Sequence, residues 1–480
     1  MPRTRYFQGC QASLAAYTIK TMNNDATNVD SALREQAIRT ALLADGASPM
    51  LMASFLDQVR RVAAGTSGLI PVASIDAVSD LPDLDCFGAD ESAAGQAALP
   101  GVVLIKLNGG LGTGMGLEKA KSLLPVKHGL TFLDIIARQV LHLRQTHNVP
   151  LPLLLMTSYS TDRDTLDALA AYPELAAGQP GLPLTFLQNR VPKLLADTLE
   201  PASATSCGDL AWCPPGHGDL YTALLNGGLL DRLVASGLRH AFLSNADNLG
   251  AVIDPAIPGY MLRHGIPFLM EVADRTAADR KGGHLARERS SGRLLLRESA
   301  QCPSDEQDDF QDTARHRYFN TNNLWIDLVA LRDLVQATGA PPPLALIVNH
   351  KRLNPRDDTS PAVVQLETAM GSAIASFDGA TALRVPRTRF APVKTTDDLL
   401  ALWSDAYELT PEYHIRLDPR RSTIGPPLIR LDPAYYKKID DFSSRFPDGA
   451  PSLLYCRSLT VKGDHTFVSG QVFDGCVKIG

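Results

Sequence analysis

At 480 residues and 45% hydrophobic composition, the chain can bury a sizeable core and is expected to divide into two or three domains. Its 46 Lys+Arg against 52 Asp+Glu give a formal net charge of −6, which argues against general nucleic-acid binding and requires any anionic ligand to be held by a local basic cluster. The 7 cysteines are scattered without a CxxC pair, which favours neither a zinc site nor a disulfide framework and fits a reducing cytoplasm; "MPRTRYFQGCQASLAAYTIK" lacks a sustained apolar h-region, and no long uncharged apolar run predicts a membrane span.

In chain order, "SALREQAIRTALLADG" and "SPMLMASFLDQVRRVAAG" carry apolar residues at helical spacing and end at Gly46 and Gly65, predicting a helical N-terminal region over residues 1–95. From about residue 100, short apolar runs alternate with helical patterns: "VVLIKL", "TFLDIIARQVLHL", "PLLLMTS", "DTLDALAA", "LTFLQN", "DLYTALLNGGLLDRLVASG", "HAFLSNADN". The alternation predicts βαβ units and an α/β segment over 96–400 with a mainly parallel sheet. Thr131 and Asp134 are placed as a helix N-terminal capping box. Ligands of such sheets sit outside the carboxyl ends of the strands. Polar stretches follow three apolar runs at Asn108–Lys121, Gln188-Asn189 and Ser244–Asn248. Within 401–480, Val461, Phe467, Phe473 and Ile479 recur every six residues, the pattern of a parallel β-helix, with an antiparallel hairpin pair as the alternative. The apolar end of a β-helix needs a cover, from the main domain or from a second subunit in a homo-oligomer.

Several of these stretches carry chemistry. In "VVLIKLNGGLGTGMGLEKAKS", glycines 109, 110, 112, 114 and 116 follow an apolar run, and Lys119 and Lys121 come after them. A Walker loop needs Gly-Lys-Ser/Thr, whereas Lys121-Ser122 follows Ala120, and no placement of the glycines gives GxGxxG. What remains is bare peptide N–H groups to cradle phosphates and an ammonium to neutralise them, against a merely flexible turn. In "CPPGHGDLYTALLNGG", Gly216 and Gly218 bracket His217 ahead of Asp219 at a helix start, where peptide groups and an imidazole could meet a ligand; taken alone this reads as a turn and N-cap rather than a site. Asp247, between Asn245 and Asn248, suits Mg²⁺ and sugar hydroxyls, or an Asx-turn without ligand. Asn320, Asn322 and Asn323 in "RYFNTNNLWIDL" need partners that sugar hydroxyls or turn hydrogen bonds would supply. Arg384, Arg387, Arg389 and Lys394 form a basic cluster, in which Lys394 shares with Lys121 the order apolar run, lysine, Thr/Ser.

Taken together, "KLNGGLGTGMGLEKAKS", "PPGHGD", "SNADNLGA", "FNTNNLW", "VVQLETAMGSAI", "RVPRTRFAPVKTTDDLL" and "GAPSLLYCRSLTVKGDHTF" resemble the UTP–glucose-1-phosphate uridylyltransferase (UDP-glucose pyrophosphorylase) family over about residues 100–480. The resemblance implies a nucleotidyltransferase core of the nucleotide-sugar, Rossmann-like type, a helical N-terminal part and a small C-terminal left-handed β-helix. It implies that Leu107, Asn108, Gly109 and Gly110 line the UTP base and phosphates, that Lys121 binds phosphate, and that Gln188 and Gly216 touch uridine. His217 and Asn245 would meet the sugar phosphate, Asp247 the Mg²⁺ and α-phosphate, and Asn320 or Asn322 the glucosyl ring. Lys394 matches the family's catalytic lysine, Lys281, Gly282, Gly283 and Glu298 fall in the sugar-facing region, and Lys351 stands where a phosphate-contacting lysine is usual. Two departures, "EKAKS" for Thr-Gly-Pro-Lys before the serine and "NHK" for "NPK", suggest a bacterial branch.

The reaction implied is attack of the glucose 1-phosphate oxygen on the α-phosphorus of UTP without a covalent enzyme nucleophile, depending on positioning and charge neutralisation. The rivals are a pyrophosphorylase for N-acetylglucosamine 1-phosphate or for several sugars, decided by the pocket around "RKGGHLAR" and "NTNN", and a noncatalytic nucleotide-sugar sensor, which retention of Lys121, Asp247 and Lys394 disfavours.

Overall fold

The computed structural model describes residues 30–276, 279–280 and 282–480; the expectations for the N-terminal twenty residues and for Lys281 fall outside the described residues. The chain forms two compact units, one from residues up to 68 with 189–216 and 346–367, the other from 69–188, 217–345 and 368–480.

In the smaller unit, the Ser48 hydroxyl caps the helix Pro49–Ala63 by accepting from the Leu51 N–H at 3.2 Å, with Pro49 at the first helical position where its missing N–H costs nothing. This helix and the one over residues 30–44 end as their glycines predict, just before Gly46 and Gly65. Their apolar faces bury Ile38, Leu42, Phe55 and Leu56 together with Val191, Leu346 and Val364. A three-stranded sheet of this unit runs in the order Leu346–Arg352, Ala362–Thr368, Leu194–Leu195.

The larger unit is built on a ten-stranded sheet: β1 Ile75–Ala77, β2 Val102–Asn108, β3 Leu153–Thr157, β4 Thr185–Leu187, β5 His240–Asn245, β6 Phe268–Asp274, β7 His284–Glu288, β8 Leu294–Arg297, β9 Tyr318–Asp327 and β10 Thr381–Arg384. Their order is β1-β7-β9-β5-β2-β3-β4, with β6 paired to β9 and β10, and β8 to β7. Strands β5, β2, β3 and β4 are mutually parallel, while β9 runs antiparallel to β5, β6 and β7. The parallel half is the one whose strands read as unbroken apolar runs: Leu153–Thr157 is buried at every position, as a strand covered on both faces requires.

Thr131 and Asp134 form the expected capping box on Phe132–His147, the Thr131 hydroxyl accepting from the Asp134 N–H at 3.1 Å while Oδ2 accepts from the Thr131 N–H at 2.9 Å. The helical pattern after Asp219 is interrupted: Leu220–Leu225 and Leu229–Ala235 are separated at Gly227 and Gly228, both with positive φ (62° and 68°). Near the C-terminus, β11 Leu428–Arg430, β12 Ser452–Val461 and β13 Val472–Ile479 pair in parallel, so the antiparallel hairpin alternative does not apply. Val461 and Phe467 are buried in the main core, and Phe473 and Ile479 pack against it.

Candidate active site

The four parallel strands end on the residues with the chemistry. Asn245 of β5 lies opposite Leu107 of β2, Asn108 opposite Thr157 of β3, and Thr157 opposite Leu187, which precedes Gln188. The start of the glycine loop is pinned from below. The Ala246 N–H donates to the Leu107 carbonyl at 3.0 Å, and the Ser158 hydroxyl to the Gly109 carbonyl at 2.9 Å. Asn108 is buried, and its amide donates to the Thr165 hydroxyl at 2.9 Å, so its side chain braces the loop from within.

The loop glycines separate by cause. Gly112 and Gly116 have φ of +68° and +78° and make the turns. Gly109 is a close approach, where a Cβ would come 2.7 Å from Oε1 of Gln188. Gly110 is different: its φ is not in the left-handed range, and a Cβ there would meet nothing within 4 Å. Its bare face is open.

Past the loop, Lys121 turns back into the site. Its ammonium donates to Oδ2 of Asp247 at 2.6 Å and to the carbonyl of Val393, the residue before Lys394, with both partners of the ion pair mostly buried. Three segments far apart in sequence thus meet at one cation. Of the basic cluster, Arg384 is paired with Asp83 and Asp274, Arg387 with Asp279, and Arg389 with Glu271, whereas Lys394 is exposed and forms no salt bridge among the described residues. Thr395 then caps the helix Thr396–Trp403, placing Lys394 at the helix start its sequence predicts.

His217 is held by its acceptor side: Nδ1 accepts from the Met370 N–H at 3.0 Å. Burial pushes its pKa down to about 4, so near neutrality the ring is uncharged with its proton on Nε2, a donor free of net charge. Asn320 and Asn322 sit on a β-bulge, where β9 gains residues between the partners of Glu271 and Val272, and Asn322 has φ of +58°. Each asparagine serves the other: Asn320 Nδ2 donates to Asn322 Oδ1 at 2.8 Å, and the Asn322 N–H to Asn320 Oδ1 at 2.9 Å. Gly283 leaves room for Glu298, whose Oε2 would lie 2.5 Å from a Cβ there. Burial pushes the Glu298 carboxyl up, and the charge of Lys394 pulls it partly back.

Gly216 and Lys351 belong to the smaller unit, where the exposed Lys351 ammonium lies 3.6 Å from Glu367. Among the described residues no group of three or more His, Cys, Asp or Glu side chains is arranged to hold a metal ion. Asp247 already holds a cation, the Lys121 ammonium, and a lone carboxylate of this kind would hold Mg²⁺ only with further oxygen ligands from outside the protein side chains.

Sequence reasoning missed the polar core beneath these loops. Glu271 is fully buried and accepts four hydrogen bonds: from Trp325 Nε1 (2.9 Å) and Arg389 Nη2 (2.6 Å) at Oε1, and from Asn323 Nδ2 (3.0 Å) and Arg389 Nε (2.7 Å) at Oε2. A lone glutamate in the apolar run "FLMEVAD" was the available signal, since a buried carboxylate needs a paired cation.

The model for UTP–glucose-1-phosphate uridylyltransferase matches residues 52–473. The chain is 39% identical over 392 residues to a UTP–glucose-1-phosphate uridylyltransferase of Solanum tuberosum (82% of this chain, 79% of the relative) and 41% identical over 376 residues to one of Saccharomyces cerevisiae (78% and 71%). It superposes with a TM-score of 0.86 on UDP-glucose pyrophosphorylase from Leishmania major, solved in open and closed structures, at 44% identity over 93% of this chain and 94% of that one. These relatives are eukaryotic and give no support to a bacterial branch. With parallel strand ends, glycine loop and paired lysine and aspartate in a matching fold and sequence, the chain belongs to the UTP–glucose-1-phosphate uridylyltransferase family.

Proposed function

We propose that the chain transfers the uridylyl group of UTP to glucose 1-phosphate by direct in-line displacement at the ends of the parallel strands. A phosphate oxygen of glucose 1-phosphate forms a bond to the α-phosphorus as the bond to the bridging oxygen breaks, and the electron pair leaves with pyrophosphate. The observation that carries this reading is the convergence of Lys121, Asp247 and Val393, the neighbour of Lys394, beside the open face of Gly110. Peptide groups of Leu107–Gly110 cradle the nucleotide, and Lys121 moves from Asp247 to the phosphates. Asp247 would hold Mg²⁺, which would supply charge neutralisation at the α-phosphate. Lys394 stabilises charge developing in transfer. Neutral His217 and Asn245 orient the sugar phosphate, Asn320 or Asn322 and Glu298 face the glucosyl ring, and Gln188 meets uridine. Gly216, Lys281 and Lys351 complete the set expected from the family pattern.

The test is stereochemical. UTP bearing a chiral α-thiophosphate gives inversion in the UDP-glucose product if transfer is a single displacement. Net retention would require a covalent enzyme intermediate and remove the direct mechanism.

The same reading includes a helical N-terminal region (1–95), a catalytic segment (96–400) and a C-terminal β-helix segment (401–480), supported by the parallel pairing of β11 to β13. The exposed side chains of Val468 and Val472 support a subunit contact there. The six described cysteines are unpaired and no described helix is long and apolar enough to cross a membrane, which supports a cytoplasmic setting.

A further inference from the structure

Asn248 follows the proposed metal-binding aspartate by one residue, yet its side chain does not face the site. It is buried, with 1% exposure, and its amide uses every hydrogen-bonding position it has. Nδ2 donates to the Arg389 carbonyl (3.1 Å) and to Asn323 Oδ1 (3.2 Å), while Oδ1 accepts from the N–H groups of Gly250 (3.2 Å) and Ala391 (2.9 Å). Two of these partners, Arg389 and Ala391, lie in the segment that leads to Lys394. The same segment returns to the turn at Val393, whose N–H donates to the Asp247 carbonyl at 3.3 Å, and Asn248 and Pro392 form a β-bridge.

The far side of this clamp is fixed. The Arg389 guanidinium is locked on Glu271 and also donates to the Val252 carbonyl at 2.9 Å; Asn323 donates to both Glu271 and the Arg389 carbonyl. On the near side, Lys106 is wholly buried beneath the same turn, donating to Ser244 Oγ at 2.7 Å and the Ala251 carbonyl at 2.9 Å. The Asn248 amide therefore bonds backbone on both sides, at Gly250 in the turn that bears Asp247 and at Ala391 in the segment that leads to Lys394, and so adds to the Val393–Asp247 and Arg389–Val252 hydrogen bonds between them.

We propose that Asn248 is a positioning residue for uridylyl transfer, holding the Lys394 segment in register with the Asp247 turn. The inference rests on Lys394 acting in the reaction. Its logic is geometric: a charge stabiliser displaced by about 1 Å can lose on the order of 10²-fold in rate while substrate contacts elsewhere persist.

The experiment is a double-mutant cycle on the full chain, with kcat per folded enzyme, KM for UTP and glucose 1-phosphate, and thermal unfolding measured for Asn248→Ala, Lys394→Ala and the pair. Asn248→Ala is expected to lower kcat about 10- to 10²-fold with both KM values within about threefold of the parent. In the Lys394→Ala background it should lower kcat by no more than about twofold, because placement of a missing ammonium has no effect. Should Asn248→Ala fail to fold, Asn248→Ser, which keeps a hydroxyl for one of the two N–H groups, takes its place with the same outcomes. Parent-like kcat in the folded Asn248 variant, or a double variant losing the product of both factors while Lys394→Ala alone is impaired, overturns the positioning role. Parent-like kcat in Lys394→Ala overturns the Lys394 reading and this inference with it.

Discussion

Lys394 differs from its cationic neighbours in forming no salt bridge among the described residues, whereas Arg384, Arg387 and Arg389 are all committed to ion pairs. An exposed ammonium with its backbone N–H held by Asp398 at 2.8 Å is free to meet an anion. Lys394→Ala should leave thermal unfolding within a degree or two and lower turnover by roughly 10²–10³, the scale for loss of one preorganised charge stabiliser; steady-state kinetics on the purified variant check it. Asp247→Asn keeps the shape but loses the charge that now holds Lys121. We expect a much weaker response of initial rate to Mg²⁺, and an unchanged Mg²⁺ titration would remove Asp247 as the metal carboxylate. Gly110→Val is expected to abolish UTP binding at little cost in stability, since neither φ nor crowding demands glycine there and only the approaching nucleotide would meet the new side chain. Calorimetry with UTP and thermal unfolding on one sample separate this from a turn requirement.

At the scale of elements, the close approach of two helices shows a second use of glycine. Gly95 in Ala89–Ala98 and Gly259 in Ala256–His264 face each other so closely that a Cβ on either would overlap backbone, at Pro255 in one case and at Glu91 in the other. Arg263 also links the two helices, through Glu91 at 2.8 Å. Gly259→Ala should therefore lower the melting temperature by several degrees with kcat unchanged in the folded fraction, read by calorimetry and kinetics together. Elements such as β2, β3 and the capped helix Phe132–His147 are legible in the sequence because their signals are local: unbroken apolar runs and a Thr-x-x-Asp box. The loops after them are legible for the same reason. The bulge at Asn320–Asn322 and the Glu271–Arg389 pair are not, since the first depends on which strand lies opposite and the second joins residues 118 apart. Arg389 reads as part of an anion-binding cluster until its buried partner is known.

For the whole molecule, buried neutral histidines set the response to acid. Burial lowers His217 and His240 to about 4 and His284 to about 2, all below the value of 6.5 for a free imidazole. The unfolded chain then takes up protons first as pH falls, so the stability these groups contribute is full above about 6.5 and is lost as pH drops through their folded values. Each steepens the slope by up to about 1.4 kcal/mol per pH unit in that window. Melting temperature should fall from about pH 6.5 towards 5, and a flat profile would contradict neutral burial of these rings. The central claim, that this chain makes a nucleotide sugar from UTP and glucose 1-phosphate, is tested most directly by release of pyrophosphate. Purified protein with UTP and Mg²⁺ is given glucose 1-phosphate, galactose 1-phosphate or N-acetylglucosamine 1-phosphate, and pyrophosphate is followed with time. The account predicts rapid release with glucose 1-phosphate and at least about tenfold slower release with the N-acetylated sugar, whose added group must be accommodated beside the paired asparagines proposed to face the glucosyl ring. No release with any sugar, or preference for N-acetylglucosamine 1-phosphate, would contradict it.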